Sequence, residues 1–325
     1  MEKNHNQIFS FIILNYRSTR EAIECAMSIE KNDSYTNKYI ILVDNQSEDS
    51  EQFFQEAFHE LREYDNIVYL RSHENVGYAR GNNIGIFYAK KVLKSDYVCV
   101  INPDTLIIEK DFVQKAIELY KKYKYAVCGP QIIHNGKNCN PLGGYKESKW
   151  FVFSHLVEDY RIYFVKKFNL AKVNIFKKLT NVRTKQYDTE IVKEKPESNR
   201  ILKKEDGEQL SGACLVFSPD FLCRYNGFYH GTFLYCEETI LTYACYQLGL
   251  KQLYAHEIKV EHKGGVSVKQ VEGENRRRQM YVHKIGANSC KEVLKVYMHK
   301  KDKTYFEKIL TPEVSEYSIE RRKEA

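Results

Sequence analysis

No stretch of this sequence approaches the eighteen or so consecutive apolar residues that a membrane span needs. The first residues, Met1 to Gln7, are polar and carry no signal-peptide core, so a cytoplasmic protein is expected. Cysteine pairing is missing too. Nine cysteines form an odd set with no C-x-x-C pair, and most lie in apolar strands or helices, where a free thiol behaves as a small hydrophobe. Neither a zinc site nor a disulfide framework is implied. The net charge of +7 is a moderate excess, short of the extreme of a nucleic-acid-binding protein, and no nucleic-acid partner is expected. Internal repeats and low-complexity tracts are absent. The first apolar run, Ile8 to Leu14, leads into Asn15-Tyr16-Arg17-Ser18 without a glycine, which argues against the G-x-G-x-x-G turn of a dinucleotide-binding dehydrogenase.

What is present is a set of apolar runs that stop on polar residues. Tyr97 to Ile101 ends at Asn102-Pro103-Asp104, Ile8 to Leu14 at Asn15-Tyr16, and Tyr39 to Val43 at Asp44-Asn45. Runs without clean alternation are strands buried on both faces, as in parallel sheets. Proline has no N–H with which to continue a ladder, so Pro103 ends its strand and leaves Asp104 at the carboxyl edge, where open α/β sheets bind ligands. A lone carboxylate there suits a hard divalent cation that also holds a diphosphate. Helical segments are expected between the strands, over Thr19 to Glu30, Ser47 to Tyr64 and Tyr78 to Leu93. This alternation specifies a mostly parallel, doubly wound α/β sheet flanked by helices.

Seven motifs in order carry a resemblance over roughly residues 8–270: Ile-Leu-Asn-Tyr around Asn15, Val43 to Asp49, Glu74 to Gly85, Ile101 to Thr105, Ser211 to Val216, Asn226 to Glu238, and Val260 to Ser267. Together they resemble the family 2 inverting glycosyltransferases, in particular the rhamnosyltransferase-like branch. The resemblance implies a GT-A-like fold and transfer of a sugar from a nucleotide diphosphate donor, dTDP- or UDP-linked and with rhamnose the leading guess, to a cell-surface polysaccharide or lipid-linked glycan. It implies Mg2+ or Mn2+ as cofactor. A catalytically inactive nucleotide-sugar-binding or scaffold subunit is the alternative, because some motif residues depart from the family pattern.

Site residues follow from both readings. Asn15, Tyr16 and Asp44 are expected to line the base and ribose pocket. Gly77, Arg80, Asn82 and Asn83 lie at a loop-to-helix turn where glycine permits close approach and a helix N-terminus favours phosphate, and Arg80 is the candidate partner of the diphosphate. Asn102 precedes the metal candidate Asp104, standing where relatives often have Asp-x-Asp. His262, ending the run from Glu257 to Val260, resembles a histidine that completes the metal site in some relatives. Glu237 and Glu238 open a helix that runs to Gly249. Adjacent helical residues diverge by about 100°, so only one can face the crevice. The family position of the base matches Glu238, although glutamate replaces the usual aspartate and a later aspartate is replaced by Ile240.

The expected layout is a nucleotide-sugar half over 1–135, a basic helical insertion and connector over 136–210, a catalytic half over 211–270 and a helical C-terminal region over 271–325. In the insertion, Arg161 to Lys185 holds eight basic and no acidic residues among aromatics, with Phe164, Val165 and Phe168 on one stripe and Lys166 and Lys167 opposite. That is the composition of a helix lying on an anionic membrane surface. The polar stretch Asp188 to Gly207 reads as a mobile connector. A peripheral location on the inner face of the cell membrane follows, with a homodimer left open.

Overall fold

The computed structural model describes residues 7–169, 196–264 and 275–321. Its first half alternates as expected: β1 (Phe9–Asn15), α1 (Thr19–Asn32), β2 (Lys38–Asp44), α2 (Ser50–Glu60), β3 (Ile67–Ser72), α3 (Gly77–Lys91) and β4 (Tyr97–Ile101). Then come β5 (Thr105–Ile107), α4 (Phe112–Tyr123), β6 (Val127–His134), β7 (Lys137–Asn138), α5 (Lys149–Lys167) and β8 (Arg200–Ile201). The chain finishes with β9 (Cys214–Phe217), α6 (Pro219–Leu222), α7 (Glu237–Leu248), β10 (Gln252–His262), α8 (Asn275–Met298), α9 (Lys303–Ile309) and β11 (Tyr317–Glu320).

These strands build one sheet in the order β11-β3-β2-β1-β4-β9-β6-β10-β5, with β7 on β6 and β8 on β10. The parallel pairing expected from the alternation covers β3, β2, β1 and β4. Beyond β4 the sheet is mixed, because β9 runs antiparallel to both β4 and β6. Every residue of β1 and β4 is buried. Alternate side chains feed two cores: Ile12 and Leu14 point to one, while Phe9, Phe11 and Ile13 point to the other. A strand covered on both sides has no polar face, which is why its sequence does not alternate.

Register sets the functional edge. Asn15 pairs with Asp44, Asp44 with Arg71, and Ile13 with Ile101. The polar ends of three strands therefore finish at one level. Helix α3 lies so close over β1 that a methyl on Gly85 would stand 2.5 Å from Ile12 Cγ2, and one on Gly81 2.6 Å from Leu14 Cδ1. Those glycines serve helix-to-sheet packing.

Three expectations change here. The insertion helix begins at Lys149, where Ser148 Oγ accepts the Phe151 N–H, and its described part ends at Lys167; residues 170–195, which hold most of the expected amphipathic stripe, lie outside the described residues. Val165 turns inward while Phe164 and Phe168 stay exposed, so the expected stripe splits between two faces. Of the supposed mobile connector, the described part is anchored: Arg200 and Ile201 pair with Tyr254 and Leu253, and the Asn199 side chain accepts the His256 N–H. Finally, the region after 271 is helical only as far as α9. Its last strand, β11, closes the sheet edge against β3, and Glu320 pairs with Arg71 at 2.9 Å.

Candidate active site

Two poles form at the carboxyl edge of the sheet. The first is built by register. Strand β5 runs antiparallel to β10, so Thr105 lies opposite His262 and brings that histidine beside Asp104. His262 Nε2 stands 3.2 Å from Asp104 Oδ1. Asp104 is 6 % exposed, and its own carbonyl accepts the Lys263 N–H, which ties the two chain segments together. A second histidine, His134 at the end of β6, donates from Nδ1 to the His262 carbonyl at 2.7 Å. Among the described residues no group of three or more His, Cys, Asp or Glu side chains could hold a metal alone. The two donors present, one carboxylate oxygen and one imidazole nitrogen, fit a hard or borderline divalent cation whose remaining positions go to phosphate oxygens and water.

The second pole is built by tethering. Glu237 and Glu238 open α7 just after Tyr235 and Cys236, which both hold left-handed backbone at φ 76° and 70°. Non-glycine residues adopt that region at a cost, so the surroundings must hold them there. The Tyr78 N–H donates to the Phe233 carbonyl at 2.7 Å, and Ser289 Oγ of α8 donates to the Leu234 carbonyl at 2.7 Å. Gly77, at φ 81°, is required by the same approach: a methyl there would stand 2.2 Å from the Phe233 carbonyl oxygen.

Tyr78 joins the poles. Its hydroxyl donates to the Gly212 carbonyl at 2.8 Å and lies 3.1 Å from Asn102 Oδ1. A methyl on Gly212 would in turn stand 3.7 Å from Glu238 Oε2 and 3.8 Å from that hydroxyl. Burial, reinforced by the nearby Glu237 and Glu238 charges, pushes the Tyr78 phenol well up, so it stays protonated and donates. Burial likewise raises both carboxyls, Glu237 to about 8 with a further push from Glu238. Glu237 is 5 % exposed and its Oε1 has no hydrogen-bond partner, whereas Glu238 is half-buried. Burial therefore favours the protonated form of Glu237 at neutral pH, and Glu238 is the more open of the two carboxyls.

Several expected ligand contacts are spent on the protein itself. Asn15 and Asp44 are fully buried: Asn15 Nδ2 donates to Asp44 Oδ1 at 2.8 Å, and Asp44 Oδ2 accepts the Ser47 N–H at 3.1 Å and the Ser50 hydroxyl. They brace the ends of β1 and β2 against each other, and of the expected trio only Tyr16 is partly exposed. The N-terminus of α3 is no open phosphate cradle, because the Gly77 N–H goes to Asn75 Oδ1 and the Tyr78 N–H to Phe233. Asn83 clamps both the N–H and the carbonyl of Phe228, each at 2.8 Å, and Asn82 donates to the Tyr78 carbonyl at 3.0 Å. Arg80 reaches Ser315 Oγ at 3.1 Å, on the segment before β11, instead of the crevice.

Sequence reasoning missed Tyr78, His134, Asn45 and the loop carbonyl at Gly212. Asn45 accepts the Val76 N–H at 3.1 Å and donates to Asn75 Oδ1 at 3.0 Å, fastening the turn before α3. A signal existed for two of them. Tyr78 sits inside the glycine-rich motif, and His134 ends its strand just as His262 does.

Residues 10–185 match the family model for glycosyl transferase family 2. The chain belongs to that family. A relative, the low-salt glycan biosynthesis hexosyltransferase Agl10 of Haloferax volcanii, is 31 % identical over 128 residues, which is 38 % of this chain and 36 % of the relative. The chain thus spans about a third of the length of that relative. Among solved structures, residues 1–349 of S. aureus TarS superpose with a TM-score of 0.50 at 12 % identity, covering 90 % of this chain and 71 % of that one. GalNAc-T7, solved with UDP, GalNAc and Mn2+, superposes with a TM-score of 0.52 at 12 % identity, covering 93 % and 56 %. Likeness at that identity concerns the fold, and the fold is the GT-A arrangement that the sequence motifs resemble.

Proposed function

We propose that this family 2 glycosyltransferase is an inverting hexosyltransferase that moves a sugar from a nucleotide diphosphate donor to a glycan or lipid-linked glycan acceptor. The observation that carries the reading is the Tyr78 hydroxyl, which links the Asn102-Pro103-Asp104 turn to the loop beside Glu238 and so sets a metal-type carboxylate across the crevice from a base-type one. Asp104 Oδ1 and His262 Nε2 would hold a Mg2+ or Mn2+ ion, which when bound neutralises the leaving diphosphate. Glu238 takes the proton from the acceptor hydroxyl as its oxygen attacks the anomeric carbon, on the face opposite the departing diphosphate, and that geometry inverts the centre. Glu237, protonated at neutral pH, spares Glu238 a second negative charge at close range. Tyr16 flanks the base pocket, over the floor made by Asn15 and Asp44.

The donor is a dTDP- or UDP-hexose, with dTDP-rhamnose first to be tried. The relative from Haloferax volcanii, a hexosyltransferase of glycan biosynthesis, supports a hexose and a glycan product. An acceptor on a lipid carrier calls for contact with the cytoplasmic face of an anionic membrane, for which the basic insertion is suited. No helix among the described residues is long and apolar enough to cross a membrane. The test is release of nucleoside diphosphate from a panel of dTDP- and UDP-sugars, with Mn2+ and with chelator. Cation-dependent turnover of one sugar is the expected result. Saturable binding without turnover would instead assign the chain to an inactive donor-binding subunit.

A further inference from the structure

Helix α5 is apolar on two sides, and only one of them is covered by the described residues. Its inward side, with Val152 and Val165, packs on α8 and buries Asp159 against His283 at 2.8 Å. On the other side lie Trp150, Phe153, Val157, Phe164 and Phe168, which are 77, 44, 50, 45 and 61 % exposed. At 100° per residue these five fall within an arc of about 60°. They are five of the eleven exposed large hydrophobic side chains among the described residues. The rings are already ordered against one another: Trp150 stacks on Phe153 at 5.8 Å, and Phe164 on Phe168 at 6.2 Å.

Charge decides what covers this stripe. Lys149 and Lys167 flank the same edge of it, one near each end, and both are exposed. The acidic side chains of the helix are engaged elsewhere, Glu158 with Arg161 and Asp159 with His283. Arg276 of α8 adds another exposed cation at the Lys167 end, donating to the Lys166 and Lys167 carbonyls at 2.8 and 3.1 Å. A second copy docked antiparallel along the stripe would set Lys149 against Lys167, and a parallel copy would set each lysine against the far edge of the stripe, where Glu158 already pairs with Arg161. Neither arrangement matches the lysines with an acidic stripe. An anionic lipid surface meets the apolar stripe with acyl chains and the lysines with headgroups.

We propose that the stripe from Trp150 to Phe168 is a lipid-docking surface that seats α5 in the interface of an anionic bilayer. This rests on the membrane-borne acceptor of the reading above and relocates the contact, from a helix starting at Arg161 to one starting at Lys149. It also couples the membrane to the site. Helix α8, the partner of α5, carries Ser289, which holds the Leu234 carbonyl, and Glu292, which accepts the Tyr229 hydroxyl at 2.5 Å. The loop that presents Glu237 and Glu238 is thereby tied through α8 to the docked helix.

Trp150 is the only tryptophan of the chain, so its fluorescence, excited selectively over tyrosine, reports this surface alone. The full chain is titrated with phosphatidylcholine vesicles that contain or lack phosphatidylglycerol. The expected result is a blue shift of the emission and co-sedimentation on the anionic vesicles only, reversed by salt. Lys149→Gln with Lys167→Gln should weaken partitioning about thirtyfold, and Phe164→Ser with Phe168→Ser should abolish it. All four residues are surface-exposed or half-exposed, and retained nucleotide-sugar binding in lipid-free buffer confirms that the variants fold. No blue shift on either vesicle, an equal shift on both, or a shift that follows protein concentration without lipid and so marks a second copy, would each overturn the proposal. Absence of donor binding in lipid-free buffer would count against the glycosyltransferase reading and leave the docking surface standing.

Discussion

The proposed metal pole and the proposed base pole of the crevice are held by different physics. Asp104 and His262 meet because two antiparallel strands are in register, and each sits within two residues of a fully buried side chain, Thr105 and Val260. Glu237 and Glu238 meet the crevice because two left-handed residues aim them there and hydrogen bonds from α3 and α8 keep the loop in place. A register is shared among many backbone bonds and tolerates the loss of one. A tethered loop depends on a few contacts, each of which is a point of failure. Mutations near the first pole should change chemistry and leave geometry alone, whereas mutations near the second should change both.

The largest effect is expected at the base itself. Glu238→Gln is nearly isosteric, so donor binding should persist while turnover falls by about a hundredfold or more. Steady-state transfer assays alongside calorimetry read both quantities. If Glu237→Gln is the inactive variant instead, the proton acceptor is the buried neighbour and the pole is assigned to the wrong carboxylate.

Next comes the tether. Gly77→Ala places a methyl 2.2 Å from the Phe233 carbonyl oxygen at a backbone angle that alanine disfavours. Overpacking of this kind costs about 1–3 kcal/mol. The loop must retreat, so turnover should fall and the melting temperature should drop by several degrees, while cation-dependent donor binding is retained. A variant with wild-type turnover would mean that the loop is not held through α3.

The last effect is on stability and leaves catalysis aside. Because burial raises the Glu237 carboxyl to about 8, the folded state holds a proton that the unfolded chain releases near 4.5. The unfolded state then binds fewer protons over that interval, and stability falls as pH rises from about 4.5 to about 8. In Glu237→Gln this part of the slope should vanish, leaving the variant the more stable of the two at alkaline pH. Melting temperatures measured across the interval decide it, and parallel curves would place the proton elsewhere.

The two poles also differ in how plainly they can be read from sequence. Strand ends are local: an apolar run, a proline and a carboxylate at Ile101 to Asp104 mark the metal pole without any long-range information. His262 was legible for the same reason. The base loop could be found by motif, but what supports it could not, since Tyr78, Phe233, Gly212 and Ser289 are brought together only by the fold. Glycines in the α3 motif suggested phosphate, yet Gly81 and Gly85 answer to Leu14 and Ile12, residues far away in sequence. Helix α5 was placed late because it is apolar on two faces, which blurs the period on which such readings rest. Strands β8 and β11, of two and four residues, carry no pattern of their own and exist through their partners.

The central claim is that the poles are separable, with donor and cation held at Asp104 and proton transfer at Glu238. Calorimetric titration of a nucleotide sugar into Asp104→Asn, with and without Mn2+, tests it most directly. The account expects a folded protein of unchanged melting temperature that has lost most of its Mn2+-dependent affinity, beside a Glu238→Gln variant that binds as the wild type does. Undiminished Mn2+-dependent binding in Asp104→Asn would contradict the account.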